Sequence, residues 1–235
     1  MSTNPLDLPI AFHLGPLAIS TPVVTTWGIL AALGLGSWAI TRRLALTPSR
    51  AQSVLELIIT TLDAQIASVV AGDPGRLRVL IGTLMIFILT ANWISLIPGL
   101  EPPTAHIETD AALALIVFVA TVAAGVRANG LWGYLRGFAN PTWVMIPINL
   151  VEQITRAFSL MVRLFGNVMS GVFVISILLS LAGLLVPIPL MALDLLTGAV
   201  QAYIFAILAL VFIGSAIEEG APQPHDSKQK TEKPR

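Results

Sequence analysis

Long apolar runs alternate with short polar segments along the chain, and this pattern predicts membrane-crossing helices. The final apolar stretch, about 143–217, is too long for one crossing, because ~20 helical residues suffice to span the hydrocarbon core. Pro187-Ile188-Pro189 divides it into two long helices. The five predicted crossings cover about residues 23–41, 77–97, 111–126, 143–186 and 190–217. We therefore expect an all-α polytopic membrane protein whose last two helices form a long tilted hairpin.

Three segments outside these crossings have a different character. Residues 48–71 are amphipathic, begin with a Thr-Pro-Ser helix start, and predict an interfacial helix or a docking face for a partner. Residues 1–22 contain no Lys or Arg, and their prolines oppose regular structure. Residues 218–235 are polar, with Pro and Lys, which predicts a disordered tail. Residues 23–217 are thus expected to form a single transmembrane domain.

The distribution of basic residues predicts the orientation of the chain. Of 13 Lys and Arg residues, all except Arg156 and Arg163 fall in segments that the five crossings place on one side. Because basic residues accumulate in cytoplasmic loops, that side is the cytoplasm. We therefore expect the N-terminus outside and the C-terminus in the cytoplasm.

Composition excludes several classes of function. The chain is 55% hydrophobic and only 11% charged, as is typical of a polytopic membrane protein. It has no cysteine, which excludes a disulfide framework and a thiolate metal site. His13, His106 and His225 are too far apart in sequence to show metal-ligand spacing. We find no phosphate-binding loop, nucleophile elbow or basic nucleic-acid patch, and so predict no catalytic residue, no metal, no cofactor and no nucleic-acid partner.

An arginine inside the predicted hairpin is the strongest sign of function. Arg163 cannot lose its proton, and insertion scales put its cost at the bilayer centre at roughly 2.5–3.5 kcal/mol. At ~100° per helical residue, five polar side chains lie within about 40° of it. These are Glu152, Arg156, Ser159, Asn167 and Ser170. Either Arg163 serves an ion or substrate pathway, or it is structural and pairs with Glu152 or Asp194.

The last helix carries a polar face of its own. Asp194 and Gln201 lie seven residues apart, so Gln201 is about 10 Å deeper along an ideal helix. Asp194 is either an intramembrane carboxylate on a water-filled path or a first-turn carboxylate near Pro189. Gln201 alone is weak evidence, since polar side chains also hold membrane helices together. Asn92 and Ser95 add polar positions, one turn apart, to the second span.

These residues resemble one family, subunit a of the membrane sector of F-type ATP synthases. The resemblance rests on Arg163-Leu164-Phe165-Gly166-Asn167 together with Gln201-Ala202-Tyr203-Ile204-Phe205 on the last helix. Pro147-Ile148-Asn149-Leu150 and the five-span plan support it, and it covers roughly residues 20–217. It implies the bacterial plasma (inner) membrane, and as partners a ring of c subunits, the peripheral-stalk b subunits, the remaining complex and membrane lipid.

The resemblance also implies a mechanism. Two offset aqueous half-channels give each ring carboxylate access to one side of the membrane at a time, and Arg163 between them favours ion release and blocks a leak. Three groups of residues follow from this scheme. The outer half-channel is lined by Asn167, Asp194 and Gln201, with Asn92 and Ser95 as further candidates. Candidates for the inner half-channel are Glu152 and Asn149. The face toward the ring consists of Arg163, Ser159, Arg156 and Ser170.

The chain departs from the family pattern at several positions. Family members often have a carboxylate nine residues after the arginine and a histidine on the last helix, where this chain has Val172 and Asp194. An acid is often found at the position of Ser95, and the outer loop carries His106 and Glu108 instead of the usual Asp and Asn. These departures resemble the divergent N-type branch, which is associated with sodium coupling. The proton is the default coupling ion.

Two rival functions come from other classes. A secondary transporter could use Arg163 to bind an anionic substrate, but it should show inverted repeats with broken helices in both halves. A purely structural subunit would hold its buried charges in static pairs. Substitution of Arg163 would then change assembly instead of transport.

Overall fold

A computed structural model describes residues 10–14, 17–42, 50–70, 75–97, 100–138, 143–183 and 186–219. The helices in this part of the chain are α1 (Thr21–Thr41), α2 (Arg50–Val69), α3 (Gly75–Trp93), α4 (Ile107–Phe138), α5 (Met145–Ala182) and α6 (Ile188–Glu219). All except α2 are long and apolar enough to cross a membrane. The predicted all-α polytopic architecture, with about five crossings and one further helix, is confirmed.

A short β-hairpin precedes α1. β1 (Ile10–Leu14) pairs with β2 (Leu17–Ser20) in antiparallel orientation. The expectation that prolines keep this segment irregular is wrong for these residues, because the prolines fall outside the two strands. Pro22 instead occupies the first turn of α1, where a backbone N–H has no partner within the helix. Residues 1–9 and 15–16 lie outside the described part.

The amphipathic helix α2 packs its apolar stripe against the bundle. Leu62 and Ile66 on this stripe are buried, and Asp63 forms an ion pair with Arg78 of α3. Near the end of α2, Val69 approaches Gly214 of α6 so closely that a Cβ added there would lie 2.8 Å from Val69 Cγ1. The predicted helix start at residues 47–49 lies outside the described part of the chain.

Helix α4 extends well beyond the predicted span of 111–126. Gly130 interrupts it with φ 71° and ψ 162°, a conformation that residues with a Cβ rarely adopt. The short helical piece after the kink folds back, and Tyr134 packs against Gly125 of the long piece. Gln153 of α5 donates a hydrogen bond to the Tyr134 hydroxyl over 2.8 Å. The kink therefore holds the end of α4 against α5.

Helices α5 and α6 are joined by the turn that the proline pair predicts. α5 ends at Ala182, Gly183 follows with φ 69°, and α6 begins at Ile188. With 38 residues, α5 is about 57 Å long, nearly twice the ~30 Å hydrocarbon core. It must therefore tilt or curve to stay within a membrane. Residues 184–185 and 220–235, which include most of the predicted tail, lie outside the described part.

Helix α6 forms the centre of the bundle, whereas α5 lies at its side. α6 packs mainly against α3 and α4, with α5 as a further neighbour. Half of the residues in the most apolar stretch of α6 are buried, compared with 11% in that of α5. Small buried residues, which let neighbouring backbones approach, recur along α6: Ala202, Ala206, Ala209 and Ala216. The described residues leave a large face of α5 uncovered.

Candidate functional site: a polar face on α5 and its neighbours

The uncovered face of α5 carries the predicted polar stripe. Ser159, Arg163 and Ser170 are exposed, and Asn167 is half-buried. Leu160, Leu164 and Val168 lie on the side that faces the bundle and are buried. This division follows from the helix period, because residues four apart share a face. The stripe therefore points away from the rest of the chain.

Arg163 has neither a hydrogen bond nor an ion pair within the described residues. Both of the carboxylates that the sequence left open as partners have other neighbours. Glu152 pairs with Arg156, and Asp194 lies beside Ser95 and Gly171. An exposed guanidinium on a membrane-crossing helix is costly unless another molecule or water receives it. The described part of the chain thus leaves the charge of Arg163 available to water or to another molecule.

Arg156 lies on the same stripe but turns toward α6. Its guanidinium pairs with Glu152, donates a hydrogen bond to Ser215 Oγ over 3.1 Å, and lies 5.4 Å from the centre of the Phe212 ring. The Glu152 side chain remains 53% exposed. Glu152 and Arg156 therefore form the ion pair that their spacing of one turn allows.

At the predicted outer end, Asp194 meets two other helices. Its carboxyl group lies against the backbone of Gly171 on α5, where an added Cβ would be 2.1 Å from Asp194 Oδ1. Ser95, just beyond α3, is a polar neighbour of the same carboxyl group, and its hydroxyl donates a hydrogen bond to the Asn92 carbonyl over 2.9 Å. The absence of a side chain at Gly171 is what admits Asp194 to this position. Asp194 is thus held between α3, α5 and α6, about 12 Å along α5 from Arg163.

Asn92 connects three elements below this site. Its Nδ2 donates to the Gly198 carbonyl over 3.0 Å, and its Oδ1 accepts from Thr104 over 2.8 Å. Thr104 lies in a 3₁₀ turn, Pro103–Ala105, between α3 and α4. Asn92 is buried. Its contacts assign it a clamping role, next to the predicted ion path.

The remaining predicted residues have contrasting surroundings. Gln201 is buried, and its Nε2 has no hydrogen-bond partner within the described residues. Since Asp194 is level with Gly171 and the two helices run antiparallel, Gln201 is about 10 Å deeper, near the level of Arg163. Asn149 instead donates to the Phe138 carbonyl over 3.0 Å and caps the end of α4. Among the described residues, Asn149 thus has a backbone partner, whereas Nε2 of Gln201 has none.

One buried carboxylate was missed as a site residue by the sequence reasoning. Asp110, in the first turn of α4, is completely buried, and neither of its carboxylate oxygens has a hydrogen-bond partner in the described part of the chain. A sequence signal exists. Asp110 shares a helical face with Leu113, Val117 and Thr121, all of which are buried. It therefore occupies a core-facing position in a segment that the prediction treated as a polar outer loop.

No group of three or more His, Asp or Glu residues could hold a metal ion in the part of the chain that the structure describes. The polar side chains of the site are instead spread over about 10–12 Å of depth between Asp194 and Arg163. Such a spacing suits the passage of an ion or a proton between successive groups more than the tight binding of one metal.

Comparison with known proteins gives a consistent family. Residues 23–214 match the family described as ATP synthase A chain. ATP synthase subunit a 2 of Bradyrhizobium sp. is 54% identical over 217 residues, which cover 92% of this chain and 97% of that protein. ATP synthase subunit a of Albidiferax ferrireducens is 44% identical over 94% of this chain and 96% of its own length. ATP synthase subunit a 1 of Chlorobaculum parvum is 48% identical, with coverages of 89% and 94%.

Proposed function

Because the chain belongs to the ATP synthase A chain family, we propose that the exposed α5 stripe and the polar groups beside it carry ions past a rotating ring of partner subunits. The protein is the non-catalytic, ion-translocating subunit a of the membrane sector. Its partners are the c subunits of the ring, the b subunits of the stalk and the rest of the complex. The predicted multi-pass membrane location and the resemblance to subunit a are confirmed, while membership of the N-type branch stays a prediction.

The single observation that carries the residue assignment is the exposed, unpaired Arg163. A ring subunit that presents an ionised carboxylate to the α5 stripe would meet a fixed positive charge there. The attraction favours the ionised carboxylate and therefore the release of its bound ion. Ser159 and Ser170 on the same stripe are small, so a ring helix can approach closely. Arg156, whose guanidinium is occupied by α6, is not part of this contact surface.

The outer half-channel follows the polar groups between Asp194 and Arg163. Asp194 and Ser95 form its entrance in our proposal, and Asn167 and Gln201 lie deeper. The unpartnered Nε2 of Gln201 supports this assignment, because a buried amide usually finds a hydrogen-bond partner. Water in a channel would supply one. The contacts of Asn92 favour a role in holding the channel wall.

Fewer observations support the inner half-channel than the outer one. Glu152 is exposed on the side of Arg163 that the basic residues assign to the cytoplasm. It can receive an ion there only when its pair with Arg156 opens. Asn149, which caps α4, contributes the wall. The orientation, with the N-terminus outside and the C-terminus in the cytoplasm, rests on the basic residues alone and is part of the proposal.

The coupling ion is proposed to be the proton, with sodium as the alternative. One charge that crosses 100 mV gains about 2.3 kcal/mol, so several ions must pass for each nucleotide formed. The carboxylates that bind the ion during rotation belong to the ring subunits. Direct measurement of both ions is therefore the test.

We would compare inverted membrane vesicles that contain the whole complex with wild-type subunit a, Arg163→Ala or Arg127→Ala. Arg127 of α4 is also exposed, so its replacement by alanine removes an equal charge at a position away from the α5 stripe. ATP-driven acidification and sodium uptake are measured, the latter with an uncoupler present to separate primary pumping from exchange. We expect assembled Arg163→Ala complexes to pump neither ion, and Arg127→Ala complexes to pump the ion that the wild type pumps.

The same experiment addresses the rival functions. Normal pumping by Arg163→Ala would overturn the proposed site, and loss of assembly with normal pumping per complex would favour a structural subunit. A secondary transporter is disfavoured by the fold. Among the described helices only α4 is interrupted, at Gly130, whereas such transporters have broken helices in both halves.

A further inference from the structure

Asp110 differs from the other acidic residues of its region in burial. Glu108, in the same turn of α4, is exposed, whereas Asp110 has no exposed surface. Both Asp110 oxygens lack a hydrogen-bond partner within the described residues. An ionised carboxylate without a partner is expensive to bury, and purely structural buried acids are normally paired or hydrogen-bonded. A group that takes up and releases a cation would meet its partner only part of the time.

The depth of Asp110 follows from the packing of α4 on α5 and α6. Val117 lines one small cavity together with Leu160 of α5 and Phe212 of α6. Asp110 lies seven residues nearer the predicted outer end, or about 10 Å, on the same face of α4. This places it near the level of residue 167 on α5. Asp110 is therefore deeper than Asp194, which meets Gly171, and shallower than Arg163.

Polar side chains lead from Asp110 to the surface. One turn before it, His106 has a side chain only 13% exposed, and its Nε2 has no hydrogen-bond partner in the described part. That atom lies 3.6 Å from Glu101 Oε2, and the Glu101 side chain is 67% exposed. Exposure thus falls in steps from Glu101 through His106 to Asp110. All three belong to the segment between α3 and the first turn of α4.

We propose that Asp110 is a carboxylate of the outer ion path, which takes up the translocated cation from the outer solution by way of Glu101 and His106. It then passes the cation toward the level of Gln201 and Arg163. For a proton, the O–H bond of the Asp110 carboxyl group breaks and an O–H bond to a neighbouring water forms, which leaves the carboxylate and passes the positive charge on. A sodium ion would instead exchange one set of oxygen ligands for another. The inference rests on the proposed function, since it adds a residue and a second entrance, beside that at Asp194 and Ser95, to the same outer half-channel.

The first test uses the whole complex in inverted vesicles with Asp110→Asn, which keeps the shape of the side chain and removes the charge. We expect ATP-driven pumping to fall by roughly a hundredfold, the low end of what a positioned proton-transfer group contributes. Asp110→Glu should restore a large part of it. Glu108→Gln, the matched loss of a charge in the same turn, should pump like the wild type. Wild-type pumping by assembled Asp110→Asn complexes would overturn the inference.

A second measurement serves if Asp110→Asn complexes fail to assemble. Because the chain has no cysteine, Ala114→Cys introduces a single thiol into this subunit and leaves Asp110 in place. Ala114 lies one turn deeper than Asp110 on the same buried face, where the proposed path continues. Silver ion enclosed in the lumen of the inverted vesicles, which faces the outer side, should inhibit pumping by this variant, because an ion path is wet. Ala112→Cys, on an exposed face of the same helix, should resist. Absence of silver inhibition in Ala114→Cys would overturn the inference, because the path beside Asp110 would be dry.

The two proposals fail in different ways. Normal pumping by Arg163→Ala in the same preparations would overturn the proposed function, whatever Asp110→Asn does. Loss of pumping in Arg163→Ala together with normal pumping in Asp110→Asn would overturn the role of Asp110 alone.

Discussion

Arg156 and Arg163 lie two turns apart on the same stripe of α5, yet their surroundings are opposite. Arg156 has a carboxylate, a hydroxyl and an aromatic ring around its guanidinium, all supplied by this chain. Arg163 has no hydrogen bond or ion pair in the described part of the chain. The difference shows that residue type and helical face do not predict which of two arginines finds partners within the described part of the chain. Only the packing of the neighbouring helices decides it.

The largest expected effect is the loss of pumping on removal of the Arg163 charge, and removal of the Arg156 charge is its comparison. In the proposed function Arg163 is the barrier between the two half-channels, so we expect Arg163→Gln to abolish ATP-driven pumping and to raise passive ion leakage. Arg156→Gln should destabilise assembly by about 1–3 kcal/mol, as loss of hydrogen bonds from a charged group does, without a leak. The measurements are ion permeability of vesicles stripped of the soluble sector and the amount of complex assembled. A leak of equal size in both variants would abolish the distinction between the two arginines.

A smaller effect is expected where the path passes between α5 and α6. Gly171→Ala would bring a methyl group 2.1 Å from Asp194 Oδ1 and so displace the carboxyl group from Ser95. We expect pumping to fall several-fold although alanine favours a helix by about 1 kcal/mol over glycine. Gly36→Ala on α1 is the control, since an added Cβ there meets nothing within 4 Å. Equal pumping rates in the two variants would show that the position of Asp194 is unimportant.

The smallest effect is expected for the partner of Arg156. The Glu152 carboxylate is more than half exposed, and exposed ion pairs contribute about 0–1 kcal/mol. Glu152→Gln should therefore leave assembly and thermal stability of the complex nearly unchanged. The pumping rate of Glu152→Gln complexes distinguishes two possible roles of Glu152. A modest decrease is consistent with an accessory place in the inner half-channel, whereas a loss as severe as that of Arg163→Ala would make Glu152 essential to the ion path.

Much of the site followed from sequence because a helix period places residues on one face. The stripe from Ser159 to Ser170, the approach of Asp194 to α5, and the Glu152–Arg156 pair were all within reach of such reasoning. Asp110 and the β-hairpin were not. Asp110 falls in a polar segment at a helix start, where the sequence gives equal support to a solvated carboxylate. The hairpin is short, and its prolines suggested irregular structure.

From the sequence alone one could predict the number of crossings, the concentration of basic residues on one side of the membrane and the polar face that contains Arg163. These properties depend on hydropathy and on the period of a single helix, both of which are local. Only the tertiary structure decided which helix covers each face. It placed Ser215 and Phe212 against Arg156, left Arg163 uncovered, and buried Asp110. The physical reason is that burial and pairing depend on neighbours distant in sequence, which no local pattern identifies.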